Sequence, residues 1–447
     1  MKGNLHKAKN IYFIGIGGIG ISAIARMLLA EGKKVSGSDS AESEITKALE
    51  KLGAKIFIGQ KKENIPKKVD LFIYTVAVKK DNPEYIEAEK REVKMLTYAQ
   101  TLNEISRAKY TIAVAGTHGK TTTTAMIAKI LIDAGLDPTV IVGSLIENFS
   151  KESPSKAKET PLKNFQTNYI SGKSQYFVVE ACEYDRSFLN IEPKIAVINN
   201  IDNDHLDYYG SLEGVIAGFR EFALKVPHDG FIVCDPKDKN VAEAIKGLKC
   251  QIIDRNQFYD PHFKMKVFGE HNRRNAGTAL SVANLLKVDL KSAKKSLEDF
   301  AGTWRRFEYK GKSPTGALVY DDYGHHPTEV SATLKGAREL YPDKKIVVVF
   351  QPHLFSRTKL LLNDFAVAFA DADEVLLAPI FPAREPFDIT ISSAILAEKI
   401  KTHNKNTKSF DNFADIVNHL FHHLKKDNIL ITMGAGEQYK VGESLLK

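Results

Sequence analysis

A short apolar run that turns into a phosphate-loop-like segment constrains this chain more than any other feature. The run Ile112–Ala115 is typical of a buried β-strand, and the residues after the turn indicate a helix. The turn itself consists of seven candidate ATP-binding residues: Gly116, Thr117, His118, Gly119, Lys120, Thr121 and Thr122. Backbone N–H groups at such a helix N-terminus bind phosphate oxygens, the lysine supplies positive charge, and the next hydroxyl binds Mg²⁺. The segment predicts an α/β unit that binds ATP.

This loop is two residues shorter than the common phosphate-binding loop. The common form reads G-x-x-x-x-G-K-[ST], but the residue five positions before Gly119 is Val114, and the spacing here is G-x-x-G-K-T. The shorter loop indicates a different class of ATP-dependent protein from those that carry the common form.

Length and charge set the number of domains and the kind of partner. The 447 residues predict about three domains, because a domain averages roughly 150 residues. The formal net charge is +8, but the lysines are spread over the whole length, without an arginine-rich tail or an aromatic-basic repeat. We therefore expect phosphorylated small molecules, and no nucleic acid, as partners. Both a monomer and a homodimer remain open.

The cysteines and the apolar segments predict a cytoplasmic location. Cys182, Cys234 and Cys250 have no C-x-x-C spacing and suit a reducing compartment. The apolar stretch Ile11–Ala30 follows three lysines, as in a secretory signal, but it contains four glycines and Arg26 and lacks a clear cleavage site. Since no apolar run reaches the roughly 18 residues that span a bilayer, we expect no membrane insertion.

Residues 1–107 show the pattern of a dinucleotide-binding unit. After the strand-like segment Asn10–Ile14, the pattern G-x-G-x-x-G consists of Gly15, Gly17, Gly18 and Gly20. The helix Ile21–Ala30 and the strand Lys34–Ser38 follow, and Asp39 is the acid that holds a ribose hydroxyl in such units. The loop predicts a pyrophosphate site and does not separate NAD from a UDP-sugar. Alternatively, the glycines serve only close packing between helix and strand.

Residues 108–307 supply candidate metal ligands near the phosphate loop. The predicted strand Tyr176–Glu180 ends in Glu180, and His205 follows the predicted strand Lys194–Asn199, so both lie where doubly wound folds bind ligands. With the Thr121 hydroxyl they predict a Mg²⁺ site, although a histidine suits the orientation of a substrate or water equally well. The acids beside His205 are interpreted as loop-solvating and helix-capping residues: Asp202, Asp204 and Asp207.

Residues 308–447 predict a third α/β domain, because strand-like and helical segments alternate there. The predicted strands are Ala317–Tyr320, Lys345–Phe350, Glu374–Ala378 and Asn428–Thr432, and the predicted helices are Pro327–Leu340 and Lys359–Ala370. Elsewhere the sequence predicts strands at Lys55–Ile58 and Leu71–Tyr74, a helix at Ala279–Leu286 and a solvated loop or partly ordered insertion at Ser150–Ser174. The adjacent His325 and His326 suggest zinc, but neighbours in sequence rarely reach one ion.

Six motifs, in this order along the chain, resemble those of the Mur ligase family. They are Gly-Thr-His-Gly-Lys-Thr-Thr from residue 116, Glu-Ala-Cys-Glu-Tyr-Asp from 180, Asn-Ile-Asp-x-Asp-His from 200, Gly-x-His-Asn-x-x-Asn from 269, Asp-Asp-Tyr-Gly-His-His-Pro from 321 and Phe-Gln-Pro-His-x-Phe-Ser-Arg-Thr from 350. The resemblance extends from Gly15 to Gly436. It implies that a Rossmann-like domain 1–107 binds a UDP-sugar, a central domain 108–307 binds ATP, and a Rossmann-like domain 308–447 helps to bind ATP and an amino acid.

The resemblance implies an ATP- and Mg²⁺-dependent ligase of peptidoglycan precursor synthesis. The lactyl carboxylate of UDP-N-acetylmuramate would attack the γ-phosphate to give an acyl phosphate and ADP, and the amine of L-alanine would then displace phosphate. The catalytic residues would be Lys120, Glu180 and His205. The metal ligands would be Thr121 and Glu180 for Mg²⁺ and His205 for a second metal. The other contacts implied are Asn272 and Arg306 to ATP, Asp322 to its ribose, His353 and Arg357 to alanine, and the glycine loop with Asp39 to the UDP-sugar.

Two departures from the family pattern qualify this match. Position 354 is leucine where many relatives have a second arginine, so Arg357 is expected to hold the alanine carboxylate nearly alone. Several relatives carry a carbamylated lysine after the Asp-His motif, but the nearest residue here is Phe219, so no carbamate is expected. The rival functions are a recycling ligase that adds a tripeptide to the same sugar nucleotide, an NAD-dependent oxidoreductase and a regulatory phosphate-loop protein without ligase activity.

Overall fold

The computed structural model describes residues 4–147, 165–383 and 385–446. Within them, three mainly parallel sheets with flanking helices follow one another along the chain. This arrangement confirms the predicted three-domain α/β fold. In the described ranges, no helix is long and apolar enough to cross a membrane.

The first sheet contains the glycine loop. Its strands are β1 (Asn10–Ile14), β2 (Lys34–Asp39), β3 (Lys55–Ile58), β4 (Leu71–Tyr74) and β5 (Met95–Thr97). The helices around it are α1 (Asn4–Lys7), α2 (Ile19–Ala30), α3 (Glu44–Lys51), α4 (Pro83–Lys90) and α5 (Tyr98–Ser106). The strand order is β3-β2-β1-β4-β5 and every pairing is parallel. The loop after β1 therefore lies where the strand order reverses, which is the usual ligand position in such sheets.

The second sheet contains the phosphate loop. Its strands are β6 (Tyr110–Ala115), β7 (Thr139–Glu147), β8 (Phe165–Ile170), β9 (Tyr176–Glu180), β10 (Ile195–Ile198), β11 (Phe231–Cys234) and β12 (Gln251–Asp254). The helices around it are α6 (Lys120–Asp133), α7 (Leu206–Tyr209), α8 (Leu212–Leu224), α9 (Lys239–Ile245), α10 (Glu270–Leu285) and α11 (Leu290–Glu298). The order is β12-β11-β10-β6-β9-β7-β8, with only the β7–β8 pair antiparallel. Because β9 and β10 flank β6, the residues that follow them lie beside the phosphate loop.

The third sheet, like the second, is parallel except for one antiparallel pair of strands. Its strands are β13 (Glu308–Lys312), β14 (Leu318–Asp322), β15 (Lys345–Phe350), β16 (Glu374–Leu377), β17 (Thr407–Ser409) and β18 (Asn428–Met433). The helices around it are α12 (Pro327–Leu340), α13 (Phe355–Leu360), α14 (Leu362–Ala368), α15 (Ser393–Lys401), α16 (Phe413–His423) and α17 (Tyr439–Ser444). The order is β13-β14-β18-β15-β16-β17, and only β13 and β14 pair antiparallel. Each sheet lies inside one predicted domain, while the exact domain boundaries stay predictions.

Three element predictions need correction. The helix predicted at Ala279–Leu286 begins earlier, at Glu270. The prediction missed its first turns because they are polar, face a cleft and show no apolar periodicity. The helix predicted at Lys359–Ala370 is two short helices, α13 and α14, that meet at Leu361. Residues 150–164 of the expected loop lie outside the described residues, but β8 forms within its second half by pairing with β7.

Residues 303–307 link the second domain to the third and are attached to both. The Trp304 N–H donates to the Leu145 carbonyl of β7 (2.9 Å). The next residue, Arg305, is buried and donates to Asp321 in β14 (2.7 Å) and to the Gly434 carbonyl (3.0 Å). This attachment places the carboxyl ends of β14 and β15 opposite the phosphate loop.

Candidate active site between the central and C-terminal domains

Two glycines and two asparagines determine the conformation of the phosphate loop. Gly116 (φ +139°) and Gly119 (φ +77°) adopt left-handed conformations that side chains rarely allow, and Gly119 is the N-cap of α6. Asn200, after β10, accepts the His118 backbone N–H at its Oδ1 (2.8 Å). Asn199 donates to the His118 carbonyl (3.3 Å). The loop N–H groups therefore lie at the start of a 14-residue helix, as a phosphate site requires.

Lys120 is held by a buried carboxylate that the sequence did not reveal. Its ammonium group donates to the carbonyls of Gly116 (2.6 Å) and Thr117 (3.0 Å) and to Glu183 Oε1 (2.9 Å). Burial alone would lower the pKa of Lys120, but the Glu183 carboxylate, 2% exposed, raises it above its ordinary value. Lys120 is therefore a permanent cation at the start of α6, beside the loop N–H groups.

Thr121 and Glu180 form a compact oxygen pair. The Thr121 hydroxyl donates to Glu180 Oε2 (2.9 Å), and the Gly143 N–H donates to the same oxygen (2.8 Å). One hydroxyl and one carboxylate held together beside a phosphate site are ligands that Mg²⁺ prefers, since it keeps waters and phosphate oxygens for its other positions. The two residues fit the predicted ion.

His205 lies on the other side of Lys120. Its Nε2 is 3.8 Å from both Glu183 Oε1 and Asp204 Oδ2, and its buried Nδ1 has no hydrogen-bond partner in the described part of the chain. Burial lowers the pKa of His205, so the ring is neutral, as a metal ligand must be. Its position is compatible with a second metal ion.

A cleft between the two domains contains most of the predicted ATP-binding residues. Its lining includes seven of them: His118, Gly119, Thr121, Thr122, Asn272, Arg306 and Asp322. Burial raises the pKa of Asp322 to about 6, and its carboxylate accepts the N–H groups of Phe307 and Gly324 (2.7 Å each). The cleft also contains His271, whose pKa burial lowers to about 4, and Arg255, neither of which the sequence singled out.

His118 joins the two domains through carboxylates. Its Nε2 is 3.1 Å from Asp202 in the central domain, and its Nδ1 is 3.4 Å from Glu329 on α12. Asp202 also accepts the Thr328 hydroxyl (2.8 Å), so the solvated-loop interpretation of Asp202 is wrong. His118, Asp202 and His326 lie within ligating distance of one another, but His326 Nε2 already donates to the Asn203 carbonyl (2.9 Å). The three form a hydrogen-bonded network between domains.

This network makes a pH-dependent contribution to stability. Burial would lower the pKa of His118, but its hydrogen bond to Asp202 and its close contact with the Glu329 carboxylate raise it from 6.5 to about 9. The stabilisation is therefore fully present below pH 6.5 and is lost as the pH rises through about 9. We expect His118→Gln to lower the free energy of unfolding by up to about 3 kcal/mol at pH 6, given about 1.4 kcal/mol per pKa unit. Melting temperatures of both proteins from pH 6 to 10 should converge, whereas exposed His403→Gln should match wild type throughout.

His353 and Arg357 meet the central domain through Asp204. Arg357 (7% exposed) donates from Nε and Nη2 to Asp204 Oδ1 (3.2 and 2.8 Å) and from Nη1 to His353 Nδ1 (2.9 Å). Asp204 is 9% exposed, and the Arg357 cation holds its pKa well below the usual range although burial alone would raise it. The interpretation of Asp204 as a solvated loop residue is thus wrong. The exposed-loop interpretation failed because the partner lies 153 positions away.

The glycine loop of the first domain borders a separate cavity. Gly15, Gly17, Gly18 and Asp39 line it, together with residues of the loop after β4. Asp39 Oδ2 accepts the Gly17 N–H (2.8 Å), which fixes the loop against the end of β2. Gly20 lies outside this lining, on α2, where an added Cβ would come within 2.9 Å of the Tyr98 ring. The first three glycines thus border a possible ligand site, while Gly20 permits packing.

The chain matches three family models in the order of its three sheets. Residues 10–110 match "Mur ligase family, catalytic domain", residues 114–257 match "Mur ligase middle domain", and residues 305–436 match "Mur ligase, glutamate ligase domain". These matches cover most of the chain and include the phosphate loop, the Asp-His segment and the third-domain motifs.

Full-length relatives agree with the family models. The chain is 40% identical to a UDP-N-acetylmuramate–L-alanine ligase of Clostridium kluyveri, with 98% of each protein covered. It resembles the crystal structure of UDP-N-acetylmuramate-alanine ligase from Thermotoga maritima with a TM-score of 0.77 and 28% identity over 98% of each chain. A murein peptide ligase of Psychrobacter arcticus shares the fold, with a TM-score of 0.70, 24% identity and 98% of each chain covered. The chain belongs to the Mur ligase family.

Proposed function

We propose that this chain catalyses the ATP-dependent ligation of L-alanine to the lactyl carboxylate of UDP-N-acetylmuramate, giving UDP-N-acetylmuramoyl-L-alanine, ADP and phosphate. One observation carries the proposal beyond family membership. A continuous series of polar contacts joins Lys120 to Glu183 (2.9 Å), Glu183 to the His205 ring (3.8 Å), that ring to Asp204 (3.8 Å) and Asp204 to Arg357 (2.8 Å). The cation suited to phosphate and the cation suited to an amino-acid carboxylate therefore belong to one site.

The first step brings two anions together. The sugar-nucleotide carboxylate attacks the γ-phosphorus of ATP, the bond to ADP breaks, and an acyl phosphate forms. The N–H groups of the loop bind phosphate oxygens, and the positive charge of Lys120 beside them lowers the repulsion. Mg²⁺, when bound by Thr121 and Glu180, would neutralise further charge on the phosphates, and His205 would hold a second metal ion. We assign Asn272 and Arg306 to ATP and Asp322 to its ribose.

The second step forms the amide. The alanine ammonium group first loses a proton to solvent, and the amine then attacks the acyl carbon. The bond from that carbon to the phosphate oxygen breaks, and the departing phosphate takes the second amine proton. We assign the alanine carboxylate to Arg357, held in place by His353, because arginine binds carboxylates through paired N–H groups. Water would hydrolyse an acyl phosphate, and burial of Arg357 and Asp204 between the domains keeps this end of the site dry.

We assign the UDP-sugar to the cavity of the first domain. The cavity lies at the switch point of an all-parallel sheet and presents Gly15, Gly17 and Gly18 beside Asp39, which suits a pyrophosphate and a ribose. Gly20 supports this site through packing. Residues 1–107 would thus form the UDP-sugar domain, 108–307 the ATP domain and 308–447 the domain that adds contacts to ATP and alanine.

We also place the protein in the cytoplasm, where ATP is available. Cys182, Cys234 and Cys250 are all free thiols in the structure, which suits a reducing compartment.

Phosphate release from ATP in the presence of UDP-N-acetylmuramate tests the function. Mixtures with L-alanine, glycine, L-serine or the tripeptide L-alanyl-γ-D-glutamyl-meso-diaminopimelate should show the highest kcat/KM with L-alanine. Faster release with the tripeptide would instead identify a recycling ligase. Binding of NADH without binding of the UDP-sugar would favour an oxidoreductase, and binding of ATP without any ligation would favour a regulatory protein.

A further inference from the structure

The Arg357 guanidinium is only partly used by the protein. Arginine carries five N–H donors, and the described residues accept from Nε, Nη1 and Nη2 once each. Two N–H groups, one on Nη1 and one on Nη2, remain for a ligand. Because Asp204 and His353 hold the guanidinium from two sides, these donors are fixed in direction before any substrate arrives.

The two carboxylate oxygens of Asp204 also differ in how many hydrogen bonds they accept. Its Oδ1 accepts three N–H groups: Arg357 Nε, Arg357 Nη2 and the His205 backbone N–H (2.8 Å). Its Oδ2 accepts no hydrogen bond from the described residues, and the His205 ring lies 3.8 Å away. Oδ2 is therefore the oxygen of this carboxylate that stays open to a ligand bringing an N–H donor.

The two remaining N–H donors of Arg357 and the remaining acceptor, Asp204 Oδ2, belong to the two members of one ion pair. We propose that the Arg357–Asp204 pair recognises the zwitterion of the amino-acid substrate, with the substrate carboxylate on Arg357 and its α-ammonium group on Asp204 Oδ2. This inference rests on the proposed ligation of an amino acid and adds Asp204 as a substrate-binding residue. An α-amino acid carries its carboxylate and its ammonium group on the same carbon, so the two groups are close together. Arg357 and Asp204 are in direct contact, so one small amino acid can reach both.

The position of Asp204 also directs the amine. Oδ2 is the atom that faces His205, which contacts Glu183 and thereby the Lys120 end of the site. An ammonium group on Oδ2 is therefore on the side of the site where the acyl phosphate forms, while the carboxylate is held away from it. Asp204 thus selects substrates that carry an amine and orients that amine toward the reacting carbon.

Substrate analogues separate this role from simple support of Arg357. L-Lactate has the carboxylate, chirality and methyl group of L-alanine but a hydroxyl in place of the ammonium group. In Asp204→Asn the amide oxygen still accepts from Arg357, but the charge that attracts the ammonium group is lost. We expect the KM for L-alanine to rise about 10- to 100-fold, whereas the inhibition constant of L-lactate and the KM values for ATP and UDP-N-acetylmuramate change less than about twofold.

Controls keep the outcomes distinct. Glu221→Gln removes the surface ion pair with Arg186 (2.6 Å) and should leave all these constants unchanged. If Asp204→Asn does not fold, Asp204→Glu, which keeps the charge but moves it, should raise the alanine KM without affecting L-lactate. Equal weakening of L-alanine and L-lactate would reduce Asp204 to a support for Arg357, and an unchanged alanine KM would also overturn the proposal. Absence of phosphate release by wild type with any amino acid would refute the ligase function itself.

Discussion

Replacement of Lys120 with alanine is expected to abolish ATP-dependent ligation while the UDP-sugar still binds. The ammonium group is the cation at the phosphate loop, and removal of one such charge from a preorganised site costs roughly a thousandfold in rate. The glycine-loop cavity lies in another domain, so the dissociation constant for UDP-N-acetylmuramate should stay within about twofold. Phosphate release and calorimetric titration of the sugar nucleotide measure the two effects separately.

The Lys120 variant needs a control for stability. Without its cation, buried Glu183 becomes an unpaired charge, and the melting temperature should fall. The double variant Lys120→Met with Glu183→Gln removes both charges and should regain the melting temperature without regaining activity. Lys129→Ala, on the same helix, should remain fully active. Activity of Lys120→Ala near that of wild type would refute the assignment of the phosphate loop.

Local sequence patterns predicted the strands and helices around the proposed nucleotide sites. The strands at Tyr176–Glu180 and Lys345–Phe350 and the helix at Pro327–Leu340 have the predicted bounds, because buried parallel strands are unbroken apolar runs and helix starts carry caps. The phosphate loop was recognisable because its conformation needs glycine at fixed positions. The residues that form such signals lie within a few positions of one another in the sequence, so they can be recognised without knowledge of the fold.

The polar network between the domains could not be predicted in this way. Asp202 and Asp204 stand in a segment with the composition of an ordinary exposed loop, and only the fold brings Thr328 and Arg357 to them. Glu183 follows an apolar strand by three residues and gave no sign that it would hold Lys120. Their hydrogen bonds join residues 63 to 153 positions apart, and no local periodicity encodes such contacts.

Arg357→Ala is expected to raise the KM for L-alanine by about 10- to 100-fold, since a charged hydrogen-bonded contact contributes roughly 1.5–3 kcal/mol. The KM values for ATP and UDP-N-acetylmuramate should change little, because Arg357 contacts His353 and Asp204 and does not line the nucleotide cleft. Steady-state kinetics with each substrate varied in turn measures this selectivity.

The same substitution leaves Asp204 buried without its cation. We therefore expect a lower melting temperature as well, and kinetics should be measured at a temperature at which the variant is folded. Lys359→Ala, on the same helix but exposed, removes a positive charge without touching Asp204 and should keep the wild-type alanine KM. If the alanine KM of Arg357→Ala is unchanged, the amino acid binds elsewhere. The polar contacts from Lys120 to Arg357 would then hold the domains together without recognising the second substrate.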